Sequence, residues 1–484
     1  MEHLPFGSAQ GKKKDLPKKS DNLSDWYNRV ILQAELADYG PAKGTMIYRP
    51  YGFAIWELVQ QEMDRLIKAR GVSNAYFPLF IPESLLKKEQ AHVDGFSPEL
   101  AIVTIGGGEQ LAEKLVVRPT SETIMYEAYA RWIHSWRDLP LMINQWNNVV
   151  RWEKRTYLFL RTTEFLWQEG HTAHATHEEA WAMVLWAIKM YAGVYRDLFA
   201  LPGYIGRKSE AEKFAGADVT LTFESLMPEG KVLQSCTAHD LGQNFSKTFN
   251  IAFQNSAGAS EHVWQTSWGF STRSIGGLIM AHGDDGGLRL PPRLAPIQVI
   301  ILPVRADEKV QAACEETKKA LRDAGVRVEI DTADNESIGS KINKWELKGV
   351  PLRLEIGARE VEQRNVTAVR RDTGEKNNFG QTELVGRITA TLDLIQDNLY
   401  QQAQQFLQDN TNDVNNYDEF KKVLTEKRGF LSAFWCEEAQ CEKKIKEETK
   451  ATTRCLPLES TAQQGQCICC GKPAQHRWLF GQAY

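Results

Sequence analysis

The sequence predicts a mixed α+β protein built as successive units, with an antiparallel sheet in its first half. Three observations carry that expectation. At 484 residues the chain is long for one core, since domains commonly run about 100 to 200 residues. Short strands arrive in runs between residues 218 and 273, interrupted by Gly and Ser, which implies an antiparallel sheet. Beyond residue 298 strand and helix alternate, the pattern of a small parallel-type sheet with right-handed crossovers. The cysteines add a further unit, because six of the eight lie at or after Cys436.

The elements follow in order. Residues 1–20 read as a disordered tail: Lys12, Lys13, Lys14, Lys18 and Lys19 are present without an apolar run, so this is a solvated segment and not a secretory signal. From Leu23 a helical pattern around Trp26, Val30, Ile31 and Leu36 leads to Met46. Trp56, Val59, Met63, Leu66 and Ile67 recur at intervals of three and four, predicting a helix that Gly71 stops. Residues 75–82 read as a strand. Pro78 within it argues for an edge, where strand and preceding helix would make a dimer surface; a core strand with a bulge is the alternative. Thr120-Ser-Glu122 closes a short apolar run and opens a helix through Ile124, Tyr126 and Tyr129, with Thr120 either a plain N-cap or part of a polar cluster. A long amphipathic helix follows from Trp181 to Leu198. Pro291, Pro292 and Pro296 break the chain. After them come a strand at 298–304, a helix at 308–324, a strand at 326–330, a helix at 338–348, strands at 352–356 and 366–369, and a closing helix from Leu384 to about Leu407. The polar stretch 409–416 reads as a linker. The domains expected are therefore 21–290, 297–407 and 411–484.

Composition excludes several classes. With 42% hydrophobic and 25% charged residues the chain is ordinary for a soluble enzyme. No apolar run approaches the roughly 18 residues of a membrane helix, so a cytoplasmic location without membrane contact is expected. A net charge of −4 argues against indiscriminate nucleic-acid binding, leaving any such binding to a local face. Eight cysteines are too sparse for a disulfide scaffold. Cys436-x4-Cys441 and Cys467-x2-Cys470 instead offer four thiolates in two short loops, the usual assembly of a tetrahedral zinc site, with Cys469 an alternative to Cys470 and Cys455 left over. His171, His174 and His177 recur at every third residue, a spacing that shares no face of a strand and is not the i, i+4 pair that zinc prefers on a helix.

Residues 151–176 concentrate three Arg, three Glu, two Trp and two His. Apolar ribbons at 157–160 and 165–167 predict two antiparallel strands joined by a basic loop. Unpartnered charge is costly to bury, so this hairpin is either an exposed salt-bridged ribbon or the wall of a cleft for an anionic ligand. There is no P-loop, and bound phosphate would fall to Arg151, Arg161 and Arg273, whose planar forks suit phosphate oxygens.

These residues resemble a known family. Arg151-Trp-Glu153 with Arg161 and Phe165 resembles motif 2 of the class II aminoacyl-tRNA synthetases, and Gly269-Phe-Ser-Thr-Arg273 with the helix at 275–281 resembles motif 3. Residues 53–82 resemble motif 1, which in that family lies at a homodimer interface. Arg118-Pro-Thr-Ser-Glu122, Phe165-Leu-Trp-Gln-Glu-Gly-His171, Leu241-Gly-Gln-Asn-Phe245 and Trp345-Glu-Leu-Lys-Gly-Val-Pro351 resemble the prolyl-tRNA synthetases of archaeal and eukaryote-like type.

The resemblance implies an enzyme that activates L-proline with ATP and Mg2+, then transfers the prolyl group to the 3′ end of tRNA-Pro. It implies Arg151 on the α-phosphate and the amino-acid carboxylate, Glu153 and Phe165 on adenine, and Arg273 on the γ-phosphate. Arg161, Thr162, Gln234, Thr237 and Ser271 would complete the ATP site. Thr120 and Glu122 would meet the proline ammonium, and Trp167, Glu169, His171 and His239 would shape the pocket. It further implies anticodon contacts at Glu346 and Arg353, structural Zn2+ on the four cysteines, and a terminal Tyr484 whose carboxylate reaches the active site. Too few residues separate Arg161 from Arg273 for a cis-editing insertion. Alternatives are a threonyl, histidyl or glycyl relative on the same plan, or an RNA-binding paralogue without catalysis.

Overall fold

The computed structural model of the chain describes residues 16–90, 100–305 and 307–484. The expected sheet has eleven strands and is shared between two parts of the sequence. In spatial order they are Ser73–Asn74, Leu141–Val150, Glu164–His174, Trp264–Ser271, Val232–Gly242, Val219–Leu226, Tyr204–Arg207, Ala451–Pro457, His476–Gln482, Phe430–Trp435 and Thr411–Asp413. The junction is made by Leu456 and Pro457 pairing antiparallel with Arg207 and Gly206. Among the described residues the main apolar clusters are a large one from Trp26 to Ala295, one between Val299 and Leu399 that also takes in Ala200, one that gathers Phe77, Tyr126, Tyr129, Phe245 and Val263, and one from Val414 to Phe480.

Period-two alternation gives the sheet two different faces. Trp268 and Phe270 turn toward the helix His177–Asp197, where Tyr191 and Tyr195 meet them at ring separations of 5.3 to 6.1 Å. That helix starts cleanly because the Thr176 side chain accepts from Glu179 N and two glutamates occupy its first turn. Burying each such aromatic contributes about 1.5 to 3 kcal/mol. Packing is tight enough that a Cβ on Gly170 would fall 2.2 Å from the Trp268 ring.

Five expectations change. The hairpin is displaced toward the N-terminus: its first strand is Leu141–Val150, paired with Glu164–His174, and residues 151–163 form the connecting loop. Residues 157–160 are no strand because Phe159 is buried with a left-handed φ of 61°, packing on Tyr48. Of the strand expected at 75–82 only Phe80–Pro82 forms, beyond Pro78, pairing with Leu115–Val117, while the preceding Ser73–Asn74 takes the end of the large sheet. Thr120 is not an N-cap: the helix Glu122–Trp132 is preceded by Ser121, and the Thr120 hydroxyl donates to Glu122 instead.

The fourth and fifth changes lie further along. The second sheet is mixed, in the order Val328–Ile330, Val299–Pro303, Leu352–Ile356, Asn365–Arg370, Lys376–Gly380, with only the first three strands parallel. The links 357–364 and 371–375 are both shorter than the roughly dozen residues a parallel crossover needs, so each returns antiparallel. Helices Glu308–Asp323 and Ile338–Leu347 cross over as expected, and Leu384–Asp409 closes the unit. The polar 409–416 stretch is no free linker, because Thr411–Asp413 pairs with Phe430–Ser432 and Val414 is buried.

Of the expected N-terminal tail, residues 1–15 lie outside the described residues. Lys19 is not solvated: its Nζ donates to Met280 O and Gly283 O, each at 2.6 Å, and burial lowers its pKa to about 8. Among the described residues, no helix is long and apolar enough to cross a membrane.

Candidate active site

The face of the sheet opposite Trp268 carries the site. Trp167, Glu169 and His171 alternate along one strand, Ser267, Gly269 and Ser271 along the next, and Thr237 and His239 along a third, so all turn the same way. The register sets them in rows: His239 with Ser267 and His171, Thr237 with Gly269 and Glu169, Ser271 with Trp167. These rows line a cleft of about 310 Å3. The start of the helix Glu122–Trp132 adds Thr120 and Glu122 to it, and the start of the helix Arg273–His282 adds Arg273.

One end is acidic and desolvated. The ligand atoms of Glu122, Glu169 and His171 lie within 4.8 Å of one another, all on buried residues. Glu169 accepts from Asn147 Nδ2 at 2.6 Å, from Gln145 Nε2 at 3.1 Å and from the Ser121 hydroxyl, and its Oε2 is 3.2 Å from His171 Nε2. Burial alone would raise the Glu169 pKa, yet His171, Ser121 and Asn147 hold it below the usual carboxylate range. Burial likewise opposes a charged His171, but Glu169 and Glu122 raise its pKa above the ordinary imidazole value. Both shifts favour the same ion pair, and with Glu122 facing the same space this end suits a compact cation. His239 is the reverse case. It sits 2.9 Å from Thr220 Oγ1 and 3.0 Å from Thr237 Oγ1, and burial with the nearby His171 charge drives its pKa down to about 3, so it is neutral.

The other end is cationic. Arg151 directly follows the strand Leu141–Val150, with Nε donating to Pro119 O at 3.0 Å. Its guanidinium lies 5.5 and 5.4 Å from the rings of Phe165 and Trp167, a cation–π clamp. Arg273 Nε donates to Leu160 O at 3.0 Å. Burial lowers both arginine pKa values, and Arg273 is pushed further by Arg151 and Arg161. Guanidiniums held together against their repulsion are relieved by a multiply charged anion. Trp167 Nε1 and Ser267 Oγ are buried in this lining without a partner. An unmade buried hydrogen bond costs about 1 to 3 kcal/mol, which a polar ligand would recover.

All seven residues expected around proline and six of the nine expected around ATP lie on the lining. The other three do not. Glu153 and Arg161 face each other at 3.7 Å in the 151–163 loop, and Arg161 lines an adjoining cavity of about 560 Å3. Thr162 donates to Glu164 O at 2.7 Å and faces a separate pocket beside Gly44. The adjoining cavity shares Glu212, Gln234 and Arg273 with the cleft, and Tyr484 lines its far side with its ring 4.9 Å from Lys231 Nζ. Sequence reasoning missed Glu212, Phe214 and Ser267. Ser267 was signalled by its alternation with Gly269 and Ser271. Glu212 and Phe214 sit on an irregular loop that carries no motif, although the Phe214 ring packs on His239 at 4.6 Å.

In the C-terminal unit Cys436, Cys441, Cys467 and Cys470 converge, with all four Sγ within 4.8 Å. None forms a disulfide, and four soft donors so clustered fit tetrahedral zinc. Cys470, not Cys469, belongs to the set, and Cys455 is buried elsewhere against Gly206. The histidines go to separate partners, His171 to Glu169, His174 to Thr172 and His177 to Asp240. Glu346 and Arg353 are brought together at 2.8 Å, with Arg353 also held by Glu355 at 3.0 Å and largely buried.

Comparison with known proteins defines the class first. Residues 105–282 match the family described as tRNA synthetase class II core domain (G, H, P, S and T), and residues 298–391 match the anticodon binding domain. The fold is thus that of a class II aminoacyl-tRNA synthetase. Residues 417–484 match the family described as prolyl-tRNA synthetase, C-terminal. A proline–tRNA ligase of Amoebophilus asiaticus is 48% identical, the match covering 97% of this chain and 100% of the relative, and one of Chlorobium chlorochromatii is 51% identical over 97% and 99%. The crystal structure of prolyl-tRNA synthetase from Cryptosporidium parvum, complexed with halofuginone and AMPPNP, superposes with a TM-score of 0.93 at 44% identity, covering 97% and 99%. The chain belongs to the prolyl-tRNA synthetase family.

Proposed function

We propose that the chain activates L-proline with ATP to prolyl-adenylate and pyrophosphate, and then transfers the prolyl group to the 3′ end of tRNA-Pro. The observation that supports this best is the polarity of the cleft, with Glu122, Glu169 and His171 at one end and Arg151 and Arg273 at the other. A zwitterionic amino acid lying between them presents its secondary ammonium to the carboxylates and its carboxylate to Arg151. The proline carboxylate attacks the α-phosphorus, and pyrophosphate leaves toward Arg273. No protein nucleophile is used; alignment and charge stabilisation supply the rate.

The residue roles are part of this proposal. Thr120 and Glu122 receive the ammonium, while Trp167, Glu169, His171 and His239 enclose the ring. Arg151, Phe165, Gln234, Thr237, Ser271 and Arg273 hold the nucleotide, and Glu153, Arg161 and Thr162 on the 151–163 loop are assigned to the same ligand. Mg2+ accompanies the phosphates. Cys436, Cys441, Cys467 and Cys470 would hold Zn2+, which would cross-link the segment 436–441 to the turn at 467–470. Glu346 and Arg353 read the anticodon, for which Arg353 exchanges a carboxylate partner for a base edge. The domains are 21–290, 297–407 and 411–484, of the archaeal and eukaryote-like type, in a cytoplasmic homodimer whose contact includes the helix Pro50–Ala69.

Charging of tRNA-Pro with labelled proline tests this directly. Proline is expected to accumulate on tRNA-Pro and not on tRNA-Thr, tRNA-His or tRNA-Gly; charging of one of those three with its own amino acid contradicts the reading.

A further inference from the structure

The loop at 208–218 carries Glu212 and Phe214 into the cleft lining, and Phe214 packs on His239. Within the loop, Ser209 O accepts from Glu212 N at 3.1 Å and Lys213 N at 2.9 Å, and Phe214 N donates to Thr220 Oγ1 at 2.9 Å. Ser209 is therefore the foot on which the turn stands. Its hydroxyl does not point to solvent: it donates to Glu442 Oε1 at 2.6 Å and lies 3.0 Å from Thr453 Oγ1, and the same carboxylate oxygen accepts from Thr453. Glu442 belongs to the helix Ala439–Thr449 of the C-terminal unit and is 7% exposed.

Two further contacts bind the same loop to the same unit. Lys446 Nζ lies 3.2 Å from Glu212 Oε1. At the loop's start, Lys208 Nζ is 2.8 Å from Glu224 Oε1, whose other oxygen takes Arg454 Nη2 at 2.6 Å. All three of these last groups are buried, and burial would raise the Glu224 pKa, but Lys208 and Arg454 hold it below the usual range. A buried carboxylate with two cations fixes geometry firmly, because losing either partner leaves an uncompensated charge.

We propose that Ser209 and Glu442 are positioning residues for the amino-acid end of the cleft, so that the C-terminal unit sets proline affinity from behind the pocket wall. This rests on the assignment of that end to proline. The position of Ser209 O decides where Glu212 and Phe214 stand, and Phe214 in turn holds the face of His239.

The test is proline- and ATP-dependent pyrophosphate exchange on the full chain, with melting temperature measured alongside. Ser209→Ala removes the loop's hydroxyl from both Glu442 and Thr453, and is expected to raise KM for proline about three- to tenfold, the worth of about one aligned hydrogen bond, with KM for ATP and kcat within about twofold. Thr453→Val removes the other donor to Glu442 and the contact of Thr453 Oγ1 with the Ser209 hydroxyl but leaves the Ser209–Glu442 bond, and is expected to raise KM for proline less than Ser209→Ala does, with KM for ATP unchanged. Glu442→Gln keeps an acceptor oxygen and should stay near wild type, whereas Glu442→Ala should follow Ser209→Ala; if Glu442→Ala does not fold, Ser209→Ala decides. The proposal is overturned if Ser209→Ala is silent, if it raises both KM values alike, or if Thr453→Val matches it. Should wild type exchange only with another amino acid, the assignment of the cleft fails separately, and the same comparison is then read with that amino acid.

Discussion

At the scale of single residues, the cleft separates its two tasks by charge. Glu122 stands where a ligand cation would be met, while Arg151 sits between Phe165 and Trp167, bridging the two ends. Glu122→Gln keeps the shape and removes the charge, so KM for proline should rise about tenfold or more, with KM for ATP changing less than about threefold. Equal rises in both would show that the carboxylate serves the nucleotide as well. Trp167→Ala is a different case, because its ring also clamps Arg151. It should weaken proline and ATP together, with proline the more affected; a loss confined to ATP would contradict the placement of Trp167 in the amino-acid pocket.

At the scale of elements, two tests follow from how strands and loops are held. Gly170 lies against the Trp268 ring, so Gly170→Ala must push the central strand from its neighbour, at a cost of about 1 to 3 kcal/mol. A urea midpoint unchanged by the substitution would contradict the close approach. Cys470→Ser should remove one of four thiolates, with loss of bound zinc by metal analysis and a lower melting temperature; full zinc retention would move the site elsewhere. Much of this scale was legible in the sequence, for plain reasons. Amphipathic periodicity located the helices at 50–69 and 177–197, and the short Cys spacings located the thiolate cluster. The hairpin was misplaced because residues 157–160 have strand-like composition, whereas the buried Phe159 takes a left-handed φ that no propensity signals. The 411–413 strand was missed because Asn and Asp dominate it, and pairing with a distant strand overrides local preference. Glu212 and Phe214 were invisible because their place depends on packing against a unit more than 220 residues away in sequence, through Ser209 and Glu442.

At the scale of the whole molecule, the sheet that runs unbroken from the catalytic strands into the C-terminal unit makes the chain one mechanical body in its middle. The fold class and the order of units could be read from the chain, but this fusion could not, since it rests on two residues pairing with Gly206 and Arg207. Acid should unsettle that body. His239, His174 and His282 are buried, with pKa values lowered to about 3, 4 and 4, chiefly by desolvation. Each is neutral when folded but takes a proton when unfolded below about pH 6.5, so stability is full above that value and is lost as pH falls toward 4, at roughly 1.4 kcal/mol per unit for each group. His171, with its raised pKa, acts in the opposite sense: its contribution is complete below about pH 6.5 and fades as pH rises through its folded value. Urea midpoints at pH 7.5 and 5.5 should therefore fall toward acid, and a rising midpoint would mean that these imidazoles are charged in the fold. The segment between Arg161 and Arg273 is filled by strands and helices of the sheet, so alanyl-tRNA-Pro should persist in the presence of the purified chain; its rapid deacylation would reveal an editing site. The most direct test of the central claim is amino-acid-dependent ATP–pyrophosphate exchange, run separately with proline, threonine, histidine and glycine. Exchange supported by proline, with the other three near background, is the predicted result; exchange supported by another of the four, or by none, would contradict it.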